Sequence, residues 1–221
     1  MTSRCRASRA TRVMIVDDDH WVVRGLQTAL GASPDIEVVG IGRDAESAVQ
    51  IYRECKPDAV LMDIAMPGDL SGIDATEAIL RYDPGAVVIV LTTTAPGAGL
   101  IRAVDVGACA VLSKSASDDE IVRVIHAAVH GDDPRLLEGL LADLRLSSGT
   151  GPGLGATPEL TGREREVLAL ICKAHSYAAI AEKLKISEWT VKSHTKVLRE
   201  KLFAGNLAQL VVRALEYRFI T

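Results

Sequence analysis

Short apolar runs rich in β-branched residues alternate with amphipathic stretches along the first 130 residues. The runs at 13–16, 36–41, 59–62, 87–91 and 109–112 have strand length and no polar alternation, as expected of strands covered on both faces. Between them, 22–30, 45–55, 73–82, 98–106 and 118–130 carry apolar residues at helical spacing. Five strand–helix units in succession predict an α/β doubly wound fold with a five-stranded parallel sheet. In such a sheet, chemistry belongs at the carboxyl ends of the strands.

After residue 130 the pattern changes. A short helix is expected over 135–146, followed by Ser147-Ser148-Gly149-Thr150-Gly151-Pro152-Gly153-Leu154-Gly155, which reads as a linker. A Gly/Ser coil of that length spans roughly 15–20 Å on average. Thr161 and Glu164 then have the spacing of a capping box and open a helix reaching about residue 174. Helices at 177–184, 188–202 and 207–217 complete a small all-α domain. The expected division is 11–130, a linker at 131–158, and 159–221.

Charge separates the same two halves. Residues 11–133 hold nine Lys and Arg against twenty Asp and Glu, whereas 155–221 hold eleven against seven, so the net charge of −4 averages two unlike parts. An acidic half suits a metal site and a basic half suits phosphate backbones. On a short tether the two should attract, and that attraction could cover the basic surface. Cys5, Cys55, Cys109 and Cys172 lack the spacing of a zinc site or disulfide framework and read as small buried hydrophobes. Arg4, Arg6 and Arg9 precede no apolar segment of a signal peptide, and no run reaches the ~18 apolar residues of a membrane span. A soluble, cytoplasmic protein with no membrane association is expected.

Candidate chemistry gathers at the strand ends. The first strand runs into Asp17-Asp18-Asp19, the third into Asp63 and the fourth into Thr92, and Lys114 follows the fifth. Acids so close together repel, and a hard divalent cation relieves this; Mg2+ suits a site with few carboxylates and room for water and phosphate oxygens. Asp63 could then act as a nucleophile towards a phosphoryl group, with the Thr92 hydroxyl and Lys114 ammonium donating to its oxygens. Asp19 reads as a helix cap. An α/β phosphohydrolase with an aspartyl nucleophile would want Asp-x-Asp-x-Thr here, but the fifth residue from Asp17 is Trp21.

The segments 13–18, 61–68 (Leu-Met-Asp-Ile-Ala-Met-Pro-Gly), 91–93 and 107–114 resemble the receiver domain of two-component response regulators, a flavodoxin-like fold, over residues 11–130. The resemblance implies that Asp63 accepts phosphate from a sensor histidine kinase. It also implies that Asp17, Asp18, Asp63 and the Ala65 carbonyl arrange Mg2+, and that Thr92 and Lys114 meet the phosphoryl group. The sequence departs from the family in three places. Val111 replaces an aromatic that swings inward in many receivers, the loop 93–99 is rich in Pro and Gly, and 66–72 holds one extra residue.

In the basic half, Lys192, Lys196 and Arg199 fall at i, i+4 and i+7 of one helix, interleaved with Thr190, Ser193, His194 and Thr195. Cations on such a face neutralise phosphates while short polar side chains reach base edges. The segments 160–168, 180–184 and 186–194 resemble the LuxR/NarL-type helix-turn-helix over 159–217. That resemblance implies that Lys192, Ser193 and Lys196 face DNA. Ile180, Ala181, Leu184, Ile186 and Val191 would build the core, and the last helix would pair two subunits. Tyr177 and Leu207 depart from the family pattern, and Trp189 is unusual on the outer turn of a recognition helix, where incidental exposure is expected and a contact with DNA or the receiver is the alternative.

Together the resemblances imply a NarL/FixJ-family response regulator, a transcription factor and not an enzyme, though its receiver can self-catalyse phosphoryl transfer and dephosphorylation. The implied partners are a sensor histidine kinase, double-stranded promoter DNA, a second copy of the chain and RNA polymerase. A receiver that is never phosphorylated and serves only as a dimerisation or ligand-docking module is the alternative.

Overall fold

The computed structural model describes residues 9–92, 98–130 and 157–220; side chains at 98–100 and 130 are not described. The expected helix at 135–146, the linker, Cys5 and most of the loop 93–99 fall outside these residues.

The strands are β1 (Thr11–Val16), β2 (Ile36–Gly42), β3 (Ala59–Asp63), β4 (Val88–Thr92) and β5 (Ala110–Ser113). Each is followed by its helix: α1 (His20–Gly31), α2 (Ala45–Cys55), α3 (Gly72–Tyr82), α4 (Ala98–Val106) and α5 (Asp118–His130). The strands form one parallel sheet in the order β2-β1-β3-β4-β5. Val13, Ile15, Leu61, Ile89 and Leu91 fill the core on the α1/α5 face, and Met14, Val16, Val60, Met62 and Val88 fill the other. Burial on both faces explains the unbroken apolar runs. β1 starts two residues before the apolar run because Thr11 and Arg12 already pair with Ile36 and Glu37.

The C-terminal domain consists of α6 (Gly162–Ile171), α7 (Tyr177–Leu184), α8 (Glu188–Lys201) and α9 (Leu207–Glu216). α6 stops short of residue 174 because Ala174 takes a left-handed conformation (φ 55°), turning the chain towards Ser176, which caps α7. The expected capping box is present: the Glu164 N–H donates to Thr161 Oγ1 at 3.2 Å, and Glu164 Oε2 accepts from the Thr161 N–H at 2.7 Å. The same Oε2 accepts from Lys201 Nζ at 2.8 Å, which ties the start of α6 to the end of α8.

Burial works against the Glu164 charge, but the hydrogen bonds from Lys201 and Thr161 outweigh it and hold its carboxyl below its ordinary value. The stabilisation is therefore complete above the unfolded value near 4.5 and fades as pH falls through the lower folded value. Glu164→Ala is expected to destabilise the domain by roughly 1.5–3 kcal/mol near neutral pH. Urea titrations should show this difference narrowing below about pH 4.

The two parts of the chain meet through α9. Every residue of α9 is buried or half-buried, as expected of a helix covered on all sides. One face packs on α6 and α8; the other lies on α4 and the turn after it. Asn206 Nδ2 donates to the Gly107 and Ala108 carbonyls at 2.9 and 3.2 Å, and Gln209 Nε2 donates to the Asp105 carbonyl at 2.8 Å. Gly107, with φ at 125°, turns the chain so that these carbonyls face α9. Arg213 approaches the Asp105 carboxylate at 3.5 Å and pairs with Glu216 at 2.7 Å. Burial pushes the Asp105 carboxyl up; Arg213 opposes this and Glu216 adds to it. A single apolar cluster runs from Val90, Ala103, Val104 and Val111 into the C-terminal domain.

Candidate functional site

The sheet topology places the ends of β1, β3, β4 and β5 along one edge, and the strand-end residues converge there. Asp17 and Asp63 are buried, while Asp18 is exposed. Lys114 Nζ lies 2.7 Å from Asp17 Oδ2 and 2.9 Å from Asp63 Oδ2, bridging the two acids. The Lys114 N–H donates to the Thr92 carbonyl at 2.7 Å, fixing the chain after β5 against the end of β4. Asp63 Oδ1 accepts from the Ala65 N–H at 3.2 Å, and Ala65 itself is exposed at the rim. Asp19 caps α1: its Oδ1 accepts from the Trp21 N–H at 2.7 Å, and its own N–H donates to Asp17 Oδ1 at 2.9 Å.

α3 comes very close to this edge. A Cβ at Gly72 would lie 1.7 Å from the Asp63 carbonyl oxygen, so only glycine lets α3 start against the strand end that carries Asp63.

Burial raises the Asp17 carboxyl above its ordinary value, against hydrogen bonds from Lys114 and the Asp19 backbone, and the Asp63 charge adds to the rise. For Lys114, burial disfavours the charge, but hydrogen bonds to Asp17 and Asp63 more than compensate and raise its proton affinity. One firmly charged ammonium thus bridges two of the acids, Asp17 and Asp63. Oxygens of Asp17, Asp18 and Asp63 lie within 4.8 Å of one another, the group among the described residues suited to a metal ion. Hard oxygen donors, surplus negative charge and one solvent-facing acid fit Mg2+, which takes few carboxylates and keeps several waters.

A second surface lies on α8. Trp189, Lys192, Ser193, Lys196 and Glu200 point outward, while Val191, Thr195 and Leu198 are buried. Lys192 Nζ sits 5.8 Å from the centroid of the Tyr177 ring at the start of α7. Two expected members of the polar face are placed differently. Thr195 is buried with its hydroxyl donating to the Val191 carbonyl at 2.9 Å, because an interior threonine satisfies itself on the preceding turn. The half-buried Arg199 donates to the Ala204 carbonyl at 3.4 Å, helping to close the α8–α9 turn. Thr190 is half-buried, its hydroxyl 2.8 Å from Ser187 at the cap. The expected covering of the basic face is also corrected: the sheet unit meets α9, and Lys192, Ser193 and Lys196 stay exposed.

Comparison with known proteins agrees with this two-part layout. The family described as "Response regulator receiver domain" matches residues 13–126, and "Bacterial regulatory proteins, luxR family" matches 158–214. The transcriptional regulatory protein LiaR of Bacillus subtilis is 37% identical over 205 residues, 92% of this chain and 96% of that protein. The oxygen regulatory protein NreC of Staphylococcus carnosus is 31% identical over 215 residues, 94% and 98% of the two chains. The crystal structure of ChrA, a response regulator of a heme-sensing two-component system, is 31% identical and superposes with a TM-score of 0.52, covering 96% of this chain and all of that one. This chain belongs to the response regulators.

Within this response regulator, the receiver's departures now have locations. Val111 is buried in β5, in the apolar cluster that continues into the C-terminal domain, where an aromatic would have to fit beneath α4. The extra residue after Met66 is absorbed outward: Met66 and Gly72 are buried while 67–70 are exposed. Among the cysteines, Cys172 is buried, with burial pushing its thiol up to about 12, and Cys55 and Cys109 are half-buried. Ile180, Ala181 and Val191 lie in the LuxR-type core, with Leu184 and Ile186 packed against it. The docking residues of α9 escape the sequence reading, although Asn206 at the cap and Gln209 and Arg213 within the helix form a narrow polar stripe at i, i+3 and i+7, with Glu216 the other polar residue of the helix.

Proposed function

We propose that Asp63 is the phosphoacceptor of a transcriptional response regulator, and that its phosphorylation by a sensor histidine kinase controls promoter binding. The observation that carries this reading is the Lys114 ammonium bridging buried Asp17 and Asp63 at the carboxyl edge of the sheet. An Asp63 oxygen attacks the phosphorus of a phosphohistidine, an O–P bond forms, the P–N bond breaks, and the imidazole leaves with a proton. Lys114 swings part of its charge from Asp63 to the incoming phosphoryl oxygens, and Thr92 donates its hydroxyl to them. Asp17, Asp18, Asp63 and the Ala65 carbonyl would hold Mg2+, which supplies charge neutralisation at the phosphoryl oxygens. The receiver itself catalyses this transfer and the later hydrolysis of the acyl phosphate. Intact-mass measurement after incubation with acetyl phosphate and Mg2+ tests the site: a single adduct mapping to Asp63 is expected, and an adduct elsewhere or none contradicts it.

Domain boundaries near 11–130, 131–158 and 159–221 accompany this reading. In the C-terminal domain, α8 enters the major groove with Lys192, Ser193 and Lys196 foremost and Thr190 and Arg199 at the margins. Lys192→Ala and Lys196→Ala are each expected to weaken binding to every DNA sequence and lower the slope of log K against log salt by about one unit. Unchanged slopes in both variants would remove these residues from the interface. The protein works in the cytoplasm, binds its promoter as a homodimer and acts on RNA polymerase from there.

Control passes through α9. This helix would pair two subunits, but in the docked arrangement none of its residues is exposed. Docking on α4 and pairing with a second copy therefore compete for one surface. Phosphorylation of Asp63 acts on α4 through Thr92 and the loop that follows it, shifting the balance towards the released helix.

A further inference from the structure

We propose that Trp189 is a specificity-determining residue that reads a thymine methyl group in the major groove. Trp189 is 77% exposed, although tryptophan normally buries its large ring. It is the second residue of α8, one turn before Lys192 and Ser193 and two turns before Lys196, all exposed on the same side. The first turn of a recognition helix is the part that reaches base edges.

Its neighbours limit what it can do. Lys192 is drawn towards the Tyr177 ring and Lys196 lies further along the helix, so the phosphate-seeking cations sit behind the indole. Glu188, beside it at the start of α8, is a carboxylate that disfavours seating this corner on a phosphate. An apolar ring at the groove-facing corner of a basic helix fits the thymine C5-methyl, the apolar feature of the major-groove edge. The same ring on a sugar or phosphate would give affinity without sequence preference.

The inference rests on the assignment of α8 to the major groove, so its test separates the two. Duplexes are selected from a random pool by the phosphorylated full-length protein, and binding is compared with random duplex for the parent, Trp189→Ala and Trp189→Phe. Trp189→Ala is expected to lose roughly tenfold or more on selected duplexes and little on random ones, with an unchanged salt slope. Trp189→Phe should recover part of the loss. Replacing thymines of the selected duplex one at a time by uracil should identify a position where the parent loses roughly fourfold, the worth of one buried methyl group. At that position Trp189→Ala should lose nothing further. Equal losses on selected and random DNA, unchanged affinity, or a uracil effect that persists in Trp189→Ala would each overturn the proposal. If Lys192→Ala and Lys196→Ala also leave the salt slope unchanged, the groove assignment has failed; if they lower it, only the role of Trp189 has. Because the side chain is mostly exposed, the thermal midpoint of both variants should match the parent.

Discussion

Asp63→Asn is expected to abolish labelling by acetyl phosphate and binding of beryllofluoride, and with them the gain in DNA binding. The amide is a poor nucleophile, and the substitution also removes one of the two acids bridged by Lys114 and one of the three grouped for a metal ion. The fold should survive it. Lys114 keeps its 2.7 Å partner Asp17, and removing a charge from a repelling acid cluster relieves part of the cost of burying Asp17. A variant that circular dichroism shows to be folded, and that nevertheless labels like the parent, would move the phosphoacceptor elsewhere. The contrast should be close to all-or-none, which makes it the largest effect in the receiver.

Gln209→Glu is expected to release α9 without phosphorylation. Gln209 Nε2 donates to the Asp105 carbonyl, near the C-terminal end of α4, while its Oε1 accepts from the Gly205 N–H. Glutamate preserves the acceptor and the size but replaces the donor with a negative charge. That charge would face a carbonyl at the negative end of a helix, close to the half-buried Asp105 carboxylate. Losing one such hydrogen bond and adding repulsion should cost the docked state roughly 1.5–3 kcal/mol. Where docking limits pairing, this converts to about ten- to hundredfold tighter DNA binding by the unphosphorylated protein. The lever sits on α9, away from the residues of α8 proposed to face DNA, so the salt slope should stay at the parent value. Unphosphorylated Gln209→Glu binding DNA like the parent would show that α9 docking does not restrain the protein.

How much was legible beforehand depended on how local each signal was. Strands buried on both faces write themselves as unbroken apolar runs, so all five units are visible in the sequence, and the Thr161–Glu164 spacing alone locates the start of α6. Asp17, Asp63 and Lys114 were legible as a group because a parallel sheet delivers its strand ends to one edge. The bridging of both acids by Lys114 was not, since it depends on how one long side chain reaches across the edge. Thr195 departs from the expected polar face because periodicity gives a helix face and not the rotamer that turns a hydroxyl back onto the Val191 carbonyl. The charge contrast correctly suggested contact between the halves but named the wrong surface. The contact made is chiefly apolar, with Asn206 and Gln209 reading carbonyls at the end of α4, and net charge carries no information about such pairing.

Control of DNA binding by phosphorylation of Asp63 is the step on which the proposed function depends. Its most direct test is the affinity of the full-length protein for one selected duplex, measured at a fixed subunit concentration with and without acetyl phosphate and Mg2+. Binding about tenfold or more tighter is expected after phosphorylation, with no change in Asp63→Asn. Equal affinity before and after stoichiometric labelling of Asp63 would contradict it.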